Sequence, residues 1–295
     1  MERPGAASAP GPFQGSVSTA LVLADASRAE AVEAATRVSE FLKELGVTIT
    51  LEKDARTRCA QGPLVEAPDL VVVLGGDGTV LAAARLLAEQ PAPVLGINFG
   101  RVGFLAPVPA DSAEQGLLDV LEGRASIEPR MRLRASLPAG GSGVALNDVV
   151  VARPSSGPLL SLALHADGER VCDYRADGLI LATPSGSTAY SLAAGGPVMA
   201  PSMQGIVATP ISAHALAHRP LVLRPDTRLR VTVAGDSGAP GEVVVDGQPL
   251  AHLQPGEALE VEVAAPPLPL LSPAGQDPWR RLRERLGWSA SFTEA

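Results

Sequence analysis

Apolar and polar positions alternate along this chain in two different rhythms. In the first hundred or so residues, short apolar runs are separated by segments of helical periodicity. "TALVLA" (19–24), "VTITL" (47–51), "LVVVL" (70–74) and "PVLGIN" (93–98) read as strands. Between the first two, Ala31, Ala34, Ala35, Val38, Phe41, Leu42 and Leu45 recur at helical spacing. Ser27 and Glu30 form a capping-box start for that helix, and Gly46 ends it. Residues 79–88 and 111–122 suit two further helices. Continuous apolar strands alternating with helices predict a parallel sheet covered on both faces.

After about residue 125 the rhythm changes to short segments rich in Val, Leu and Thr. They are broken by turn clusters such as "PAGGSG" (138–143), "RPSSGP" (153–158), "ADGER" (166–170) and "GDSGAPGE" (235–242). This spacing predicts an antiparallel β domain. Asp246-Gly247 between apolar runs reads as a type I′ hairpin turn. "APPLPLLSPAG" (265–275) reads as a linker. "DPWRRLRERLGW" (277–288) reads as a helix with Asp277 as N-cap and Pro278 at N1. The predicted fold class is therefore α/β + β. A flexible leader (1–15) precedes an N-terminal α/β domain (16–108, with 270–295 returning to it). A mainly antiparallel β-rich domain occupies 109–269.

Composition narrows the function. Of 295 residues 46% are apolar and 19% charged, which predicts a packed core. A net charge of −8 argues against nucleic-acid binding. No apolar run approaches the ~20 residues of a membrane span. "MERPGAASAPGPFQG" does not resemble a secretory signal, so the expected location is cytoplasmic. Cys59 and Cys172 suggest neither a disulfide scaffold nor a zinc site. Lys43 and Lys53 are the only lysines and neither follows a glycine, which excludes a G-K-[ST] P-loop. Phosphates, if bound, must meet arginine, backbone amides or a metal. "LVLADASRAEA" (21–31) contains no glycine, which disfavours a dehydrogenase of the G-x-G-x-x-G type.

The candidate chemistry starts at Gly75-Gly76-Asp77-Gly78-Thr79, at the carboxyl end of a predicted buried strand, where ligands bind in open α/β folds. Glycine backbone there can approach phosphate oxygens, and the following helix start adds its positive end. Asp77 is either a helix N-cap or a working acid that holds Mg²⁺ or takes a proton from an attacking hydroxyl. "GINFGRVGFLA" (96–106) supplies a second permissive loop with Asn98 as a candidate, and Phe104 and Leu105 as core plugs. Asn147-Asp148 interrupts an apolar run, as an Asx turn or as a pair reading a nucleoside's hydroxyls and exocyclic amine. "YRADGLILATPSGSTAYSLAAGGPV" (174–198) is the densest stretch. There Arg175 and Asp177, two apart, would face one side of an extended segment. Ser187 or Thr188 would cap a short helix ended by Gly195-Gly196-Pro197. His214 and His218 stand four apart, but without H-E-x-x-H they read as a capped helix start near a ligand rather than a metal site. Gln248 is a further candidate.

This order of motifs resembles the NAD kinases over nearly the whole chain. The likeness rests on GGDGT (75–79), N-x-G-x-x-G-F-L (98–105), Asn147-Asp148, D-G-L-I-x-A-T-P-S-G-S-T-A-Y-S (177–191) and Gly195-Gly196-Pro197. P-I-S-x-H (210–214), DGQ (246–248) and L-R-x-x-L-G-W complete it. The resemblance implies phosphorylation of the adenosine ribose 2′-hydroxyl of NAD to give NADP, with Mg²⁺-bound ATP, another nucleotide or polyphosphate as donor. It implies an NAD site between the domains of a homo-oligomer, a dimer or tetramer. Asp77 becomes the proton acceptor, beside Gly75, Gly76, Gly78 and Thr79. Asn147 and Asp148 hold the nucleoside, and Arg175 and Asp177 the other half of the cofactor. Thr188, Ala189, Tyr190, Ser191, Leu192 and Ala193 line the nucleobase pocket, with Gln248 nearby. Ala193 stands where many relatives have serine, and Ala213 where many have proline. The rival expectations are a lipid or sugar kinase sharing the glycine-acid loop, and a non-catalytic dinucleotide-binding sensor.

Overall fold

A computed structural model describes residues 11–100, 103–138, 140–215, 217–235 and 237–288. The first ten residues of the expected leader lie outside the described residues. The chain divides into two compact units. One holds the described residues up to Pro129 and from Leu268 onward; the other is Arg130–Pro267.

The first unit is a parallel sheet. Strands Thr48–Glu52, Thr19–Ala24, Leu70–Gly75 and Val94–Asn98 lie side by side in that order, and the end of strand Ala258–Ser272 joins parallel at Leu270, opposite Val94. Every residue of Leu70–Gly75 is buried, as a central parallel strand requires when both faces are covered. Helix Ala29–Glu44 turns Ala31, Ala34, Ala35, Val38 and Leu42 into the core with Val22, Val72 and Leu95. Val and Leu supply the strand side of this core, and alanines on the helix let its backbone lie close to the sheet.

Three local expectations change. The helix starts at Ala29 with Arg28 as N-cap and no side-chain cap, because both the backbone N–H and the hydroxyl of Ser27 donate to Asp25 Oδ1. Helix Ala113–Leu121 sends Ala113, Leu117 and Val120 into the first unit's core, so that unit runs to Pro129 rather than to 108. The proline-rich stretch 265–275 is largely strand, the end of Ala258–Ser272, and not a linker. Leu268, Leu270 and Leu271 are fully buried there, so apolar side chains outweighed the prolines. The last helix, Pro278–Leu286, begins as its sequence suggests: Asp277 accepts the Trp279 N–H and Gly287 closes the helix at φ 68°.

The second unit is antiparallel. Its six-stranded sheet runs Leu221–Leu223, Ile206–Ile211, Gly178–Ala182, Asp148–Ala152, Gly241–Val245, Gln248–Leu253. A second sheet carries Glu169–Ala176, Leu160–Ala166, Leu229–Val233 and the first part of Ala258–Ser272. Leu179 and Leu181 pack with Leu162, Leu164 and Val231 in the main core. Ile180 and Ala182 point the other way, onto Val150, Met199 and Val207. Strand Gly178–Ala182 is buried on both faces, which is why it shows no polar alternation. The hairpin turn is as read: Asp246 at φ 45° and Gly247 at φ 73° satisfy a type I′ turn.

Candidate active site

In the first unit, strand Leu70–Gly75 delivers Gly76 and Asp77 to the start of helix Asp77–Leu86. Gly76 is the N-cap, so Asp77 sits in the first helical turn, where the helix dipole favours a negative charge. Its carboxylate is engaged by three backbone amides of the neighbouring loop. Oδ2 accepts from Phe104 N at 2.9 Å; Oδ1 accepts from Leu105 N at 3.0 Å and Ala106 N at 3.2 Å. The loop can come this close only because position 103 lacks a side chain: a Cβ on Gly103 would lie 1.8 Å from Asp77 Oδ1. Arg101 and Val102 of the same loop lie outside the described residues. The carboxylate borders a cavity of about 480 Å³, lined also by Gly76, Gly78, Thr79 and Asn98. No protein neighbour demands glycine at 76 or 78, since a Cβ at either would meet nothing within 4 Å. Those two positions leave backbone bare beside open space.

Leu105 is a buried plug, as read, whereas Phe104 is half-buried beneath the Arg285 guanidinium, whose carbon sits 5.4 Å from the ring centre. Asn98 is buried at the end of its strand. Arg28, Arg56, Arg285 and Asp25 also line the cavity. None of them stood out in the sequence, because they come from three separate segments with no shared motif.

In the second unit, Asn147 and Asp148 lie at the junction of strands Ser142–Ala145 and Asp148–Ala152. The turn is held from a distance by Asp246, whose carboxylate accepts the N–H of Leu146 (2.7 Å), Asn147 (2.8 Å) and Asp148 (3.1 Å). Sequence reading treated Asp246 only as a turn former; the signal for its second role was the acid opening D-G-Q. The dense 174–198 block folds onto the same turn. Thr183 Oγ1 donates to the Leu146 carbonyl at 2.6 Å, and Thr183 N to the Asn147 carbonyl at 2.8 Å. A Cβ on Gly186 would lie 2.0 Å from that carbonyl oxygen, so the approach requires glycine. The short helix is a 3-10 turn, Gly186–Thr188, followed by Tyr190–Ala193, and neither Ser187 nor Thr188 caps it. The Ser187 hydroxyl instead donates to the Pro184 carbonyl at 2.7 Å and accepts Met199 N at 2.9 Å. Ser191 is buried against the Thr209 hydroxyl at 2.8 Å, whereas Tyr190 is 47% exposed and Thr188, Ala189 and Leu192 are half-buried. Ala193 is exposed.

Arg175 and Asp177 do not pair with each other. The chain changes sheets at Asp177, and its carboxylate bonds Arg153, whose guanidinium holds it below the usual carboxylate range. Arg175 is exposed and borders a separate cavity of about 580 Å³ with Tyr174, His214 and His218. The expected helix around the two histidines is absent among the described residues; Ser212 takes φ 48°, and His214 N donates to the Arg175 carbonyl. Gln248 is exposed, its Nε2 donating to the Gly247 carbonyl. No group of three or more metal-ligating side chains occurs among the described residues.

Asp148 is the most perturbed acid near these motifs. Burial, and then the charge of Asp246, push its carboxyl up to about 7. An unfolded aspartate titrates near ~3.9, so between that pH and about 7 the folded chain holds the extra proton. Stability therefore falls as pH rises through this window and stays lower above it. Asp148→Asn removes the slope: its urea midpoint should change less between pH 5 and 8, and exceed the parent's at pH 8. A slope equal to the parent's would contradict the assignment.

With the geometry in place, comparison defines the class first: residues 64–125 match the ATP-NAD kinase N-terminal domain and 146–272 the ATP-NAD kinase C-terminal domain. The NAD kinase of Ectopseudomonas mendocina is 43% identical over 231 residues, covering 77% of this chain and 78% of that one. The NAD kinase of Pseudomonas fluorescens (strain Pf0-1) is 41% identical over 233 residues, 78% and 79% of the two chains. Among solved structures, yeast NADH kinase complexed with NADH superposes with TM-score 0.82 at 28% identity, covering 96% of this chain and 91% of that one. An NAD kinase from Archaeoglobus fulgidus in complex with ATP gives 0.72 at 28% identity, covering 91% and 98%. The chain belongs to the NAD kinase family.

Proposed function

We propose that this protein transfers the γ-phosphoryl group of ATP to the 2′-hydroxyl of the adenosine ribose of NAD, giving NADP and ADP. The observation that carries the reading is the Asp77 carboxylate bordering a cavity walled by bare glycine backbone. A carboxylate oxygen accepts about two hydrogen bonds in its plane. Oδ1 already has two donors and Oδ2 only one, so Oδ2 retains a lone pair for the ribose hydroxyl. In the reaction O2′ bonds to the γ-phosphorus, the bond from that phosphorus to the β–γ bridging oxygen breaks, and the hydroxyl proton passes to Oδ2. Positioning supplies most of the rate in such transfers.

Asn147 and Asp148 would read the nucleoside, Arg175 and Asp177 the rest of the dinucleotide, and residues 188–193 the base, with Gln248 at the rim. These roles rest on the family resemblance and on the fold of the 183–196 segment against the Asn147 turn. A homo-oligomer is inferred from the resemblance alone, and a cytoplasmic location from the lack of a signal-like N-terminal sequence. Mg²⁺ characteristically takes one or two carboxylates plus phosphate oxygens. With the free lone pair of Asp77 given to the hydroxyl, the remaining oxygen donors fit that pattern: Asp25 lines the cavity with Thr79 and Asn98. When bound, the metal would neutralise phosphate charge.

The test is an NADP-specific enzymatic assay on purified protein with NAD, ATP and Mg²⁺. NADP should appear in step with ADP. NAD binding without NADP would favour a dinucleotide sensor, and phosphate appearing only on a lipid or sugar panel would favour the rival kinases.

A further inference from the structure

The chain contains only two lysines, and neither lines the Asp77 cavity, yet three arginines do: Arg28, Arg56 and Arg285. They come from the N-cap of one helix, the first turn of a second, and the last turn of the C-terminal helix. In a chain of net charge −8 this convergence is a local reversal of sign. Arg28 is partly committed already, bonding the Phe99 carbonyl and lying 3.6 Å from Asp25. Arg56 and Arg285 are both exposed, and Arg285 rests on the Phe104 ring. An aromatic face leaves the planar edge of a guanidinium, with its N–H groups, open to a further partner.

The remaining lining is glycine backbone, Asp25, Asp77, Thr79 and Asn98. Among the described residues it includes no aromatic side chain and no aliphatic one larger than threonine. The described lining thus offers no ring or aliphatic face on which to stack a nucleobase. It offers forked cationic donors and bare backbone, the partners of a chain of phosphates.

We propose that Arg56 and Arg285 hold the phosphate chain of the phosphoryl donor, and that this cavity selects the donor by its phosphates and not by its base. Arg28 shapes the rim through Phe99 and Asp25. This rests on the kinase reading above and adds to it the residues and the chemical basis of donor choice. The two arginines are positioning residues: they fix the chain so that its terminal phosphorus faces Asp77. Their loss should act on donor affinity, leaving the dinucleotide untouched.

The experiment compares the parent with R56A, R285A, the double variant and R56K/R285K. Calorimetry with inorganic tripolyphosphate, the bare phosphate chain, should show binding to the parent and about 100-fold weaker binding to the double alanine variant, since each charge-assisted contact is worth about tenfold or more. In steady state, KM for ATP and for GTP should rise by the same factor, with KM for NAD unchanged. The lysine variant should recover part of the affinity, keeping charge but losing the fork. Absence of tripolyphosphate binding by the parent, parent-like binding by the double variant, or a KM rise confined to NAD or to one nucleotide would each overturn the proposal. A parent that binds tripolyphosphate through these arginines but makes no NADP would leave it standing while removing the NAD kinase reading.

Discussion

Asp77→Asn is expected to lower kcat for NADP formation by about 10²–10⁴-fold, the range for removal of a positioned general base. Asparagine preserves the shape and one carbonyl oxygen, which can still accept two of the three amides now bound by the carboxylate. The third amide would face the new NH₂ group, at a stability cost of about 1–3 kcal/mol. The substitution therefore separates chemistry from folding. A thermal melt lowered by no more than that cost and an unchanged NAD affinity, together with collapsed turnover, identify proton transfer as what was lost. Turnover within about threefold of the parent would remove Asp77 from the chemistry and leave it as the latch for residues 104–106.

The largest stability effect is expected at Asp246. Asp246→Ala leaves the amides of Leu146, Asn147 and Asp148 without their carboxylate acceptor. Leu146 and Asp148 are buried, and an unpaired buried amide costs about 1–3 kcal/mol, so a loss on the order of 2–6 kcal/mol is expected in urea unfolding. The same substitution removes a like charge from beside Asp148. The Asp148 carboxyl should then titrate lower but stay above an ordinary aspartate, because burial is the larger of its two causes. A loss below about 1 kcal/mol would mean that water replaces the carboxylate, and that the Asn147 turn does not depend on it.

Most of the first unit was legible in its apolar rhythm. Leu70–Leu74 announces a central parallel strand because a strand buried on both faces must be apolar at every position. The helix ends were less legible. Ser27 and Glu30 satisfied a capping box on paper, but Asp25, two residues upstream, captured Ser27 first, a competition that the spacing rule does not include. The proline-rich 265–275 stretch misled in the opposite direction, since proline is compatible with extended backbone when its neighbours can be buried.

By itself, the sequence determined the alternation of strands and helices, the bare glycines around Asp77 and the ordered motifs that mark the family. Each of these is written in neighbouring residues, whose backbone preferences act over a few positions. Only the tertiary structure decided what those residues meet. Asp77 finds amides 27 to 29 positions away, Asp246 reaches back about a hundred to the Asn147 turn, and Arg56 and Arg285 reach one cavity from opposite ends of the chain. Such contacts arise from the packing of separate segments, and no local periodicity encodes which distant group will fill a given oxygen's lone pair.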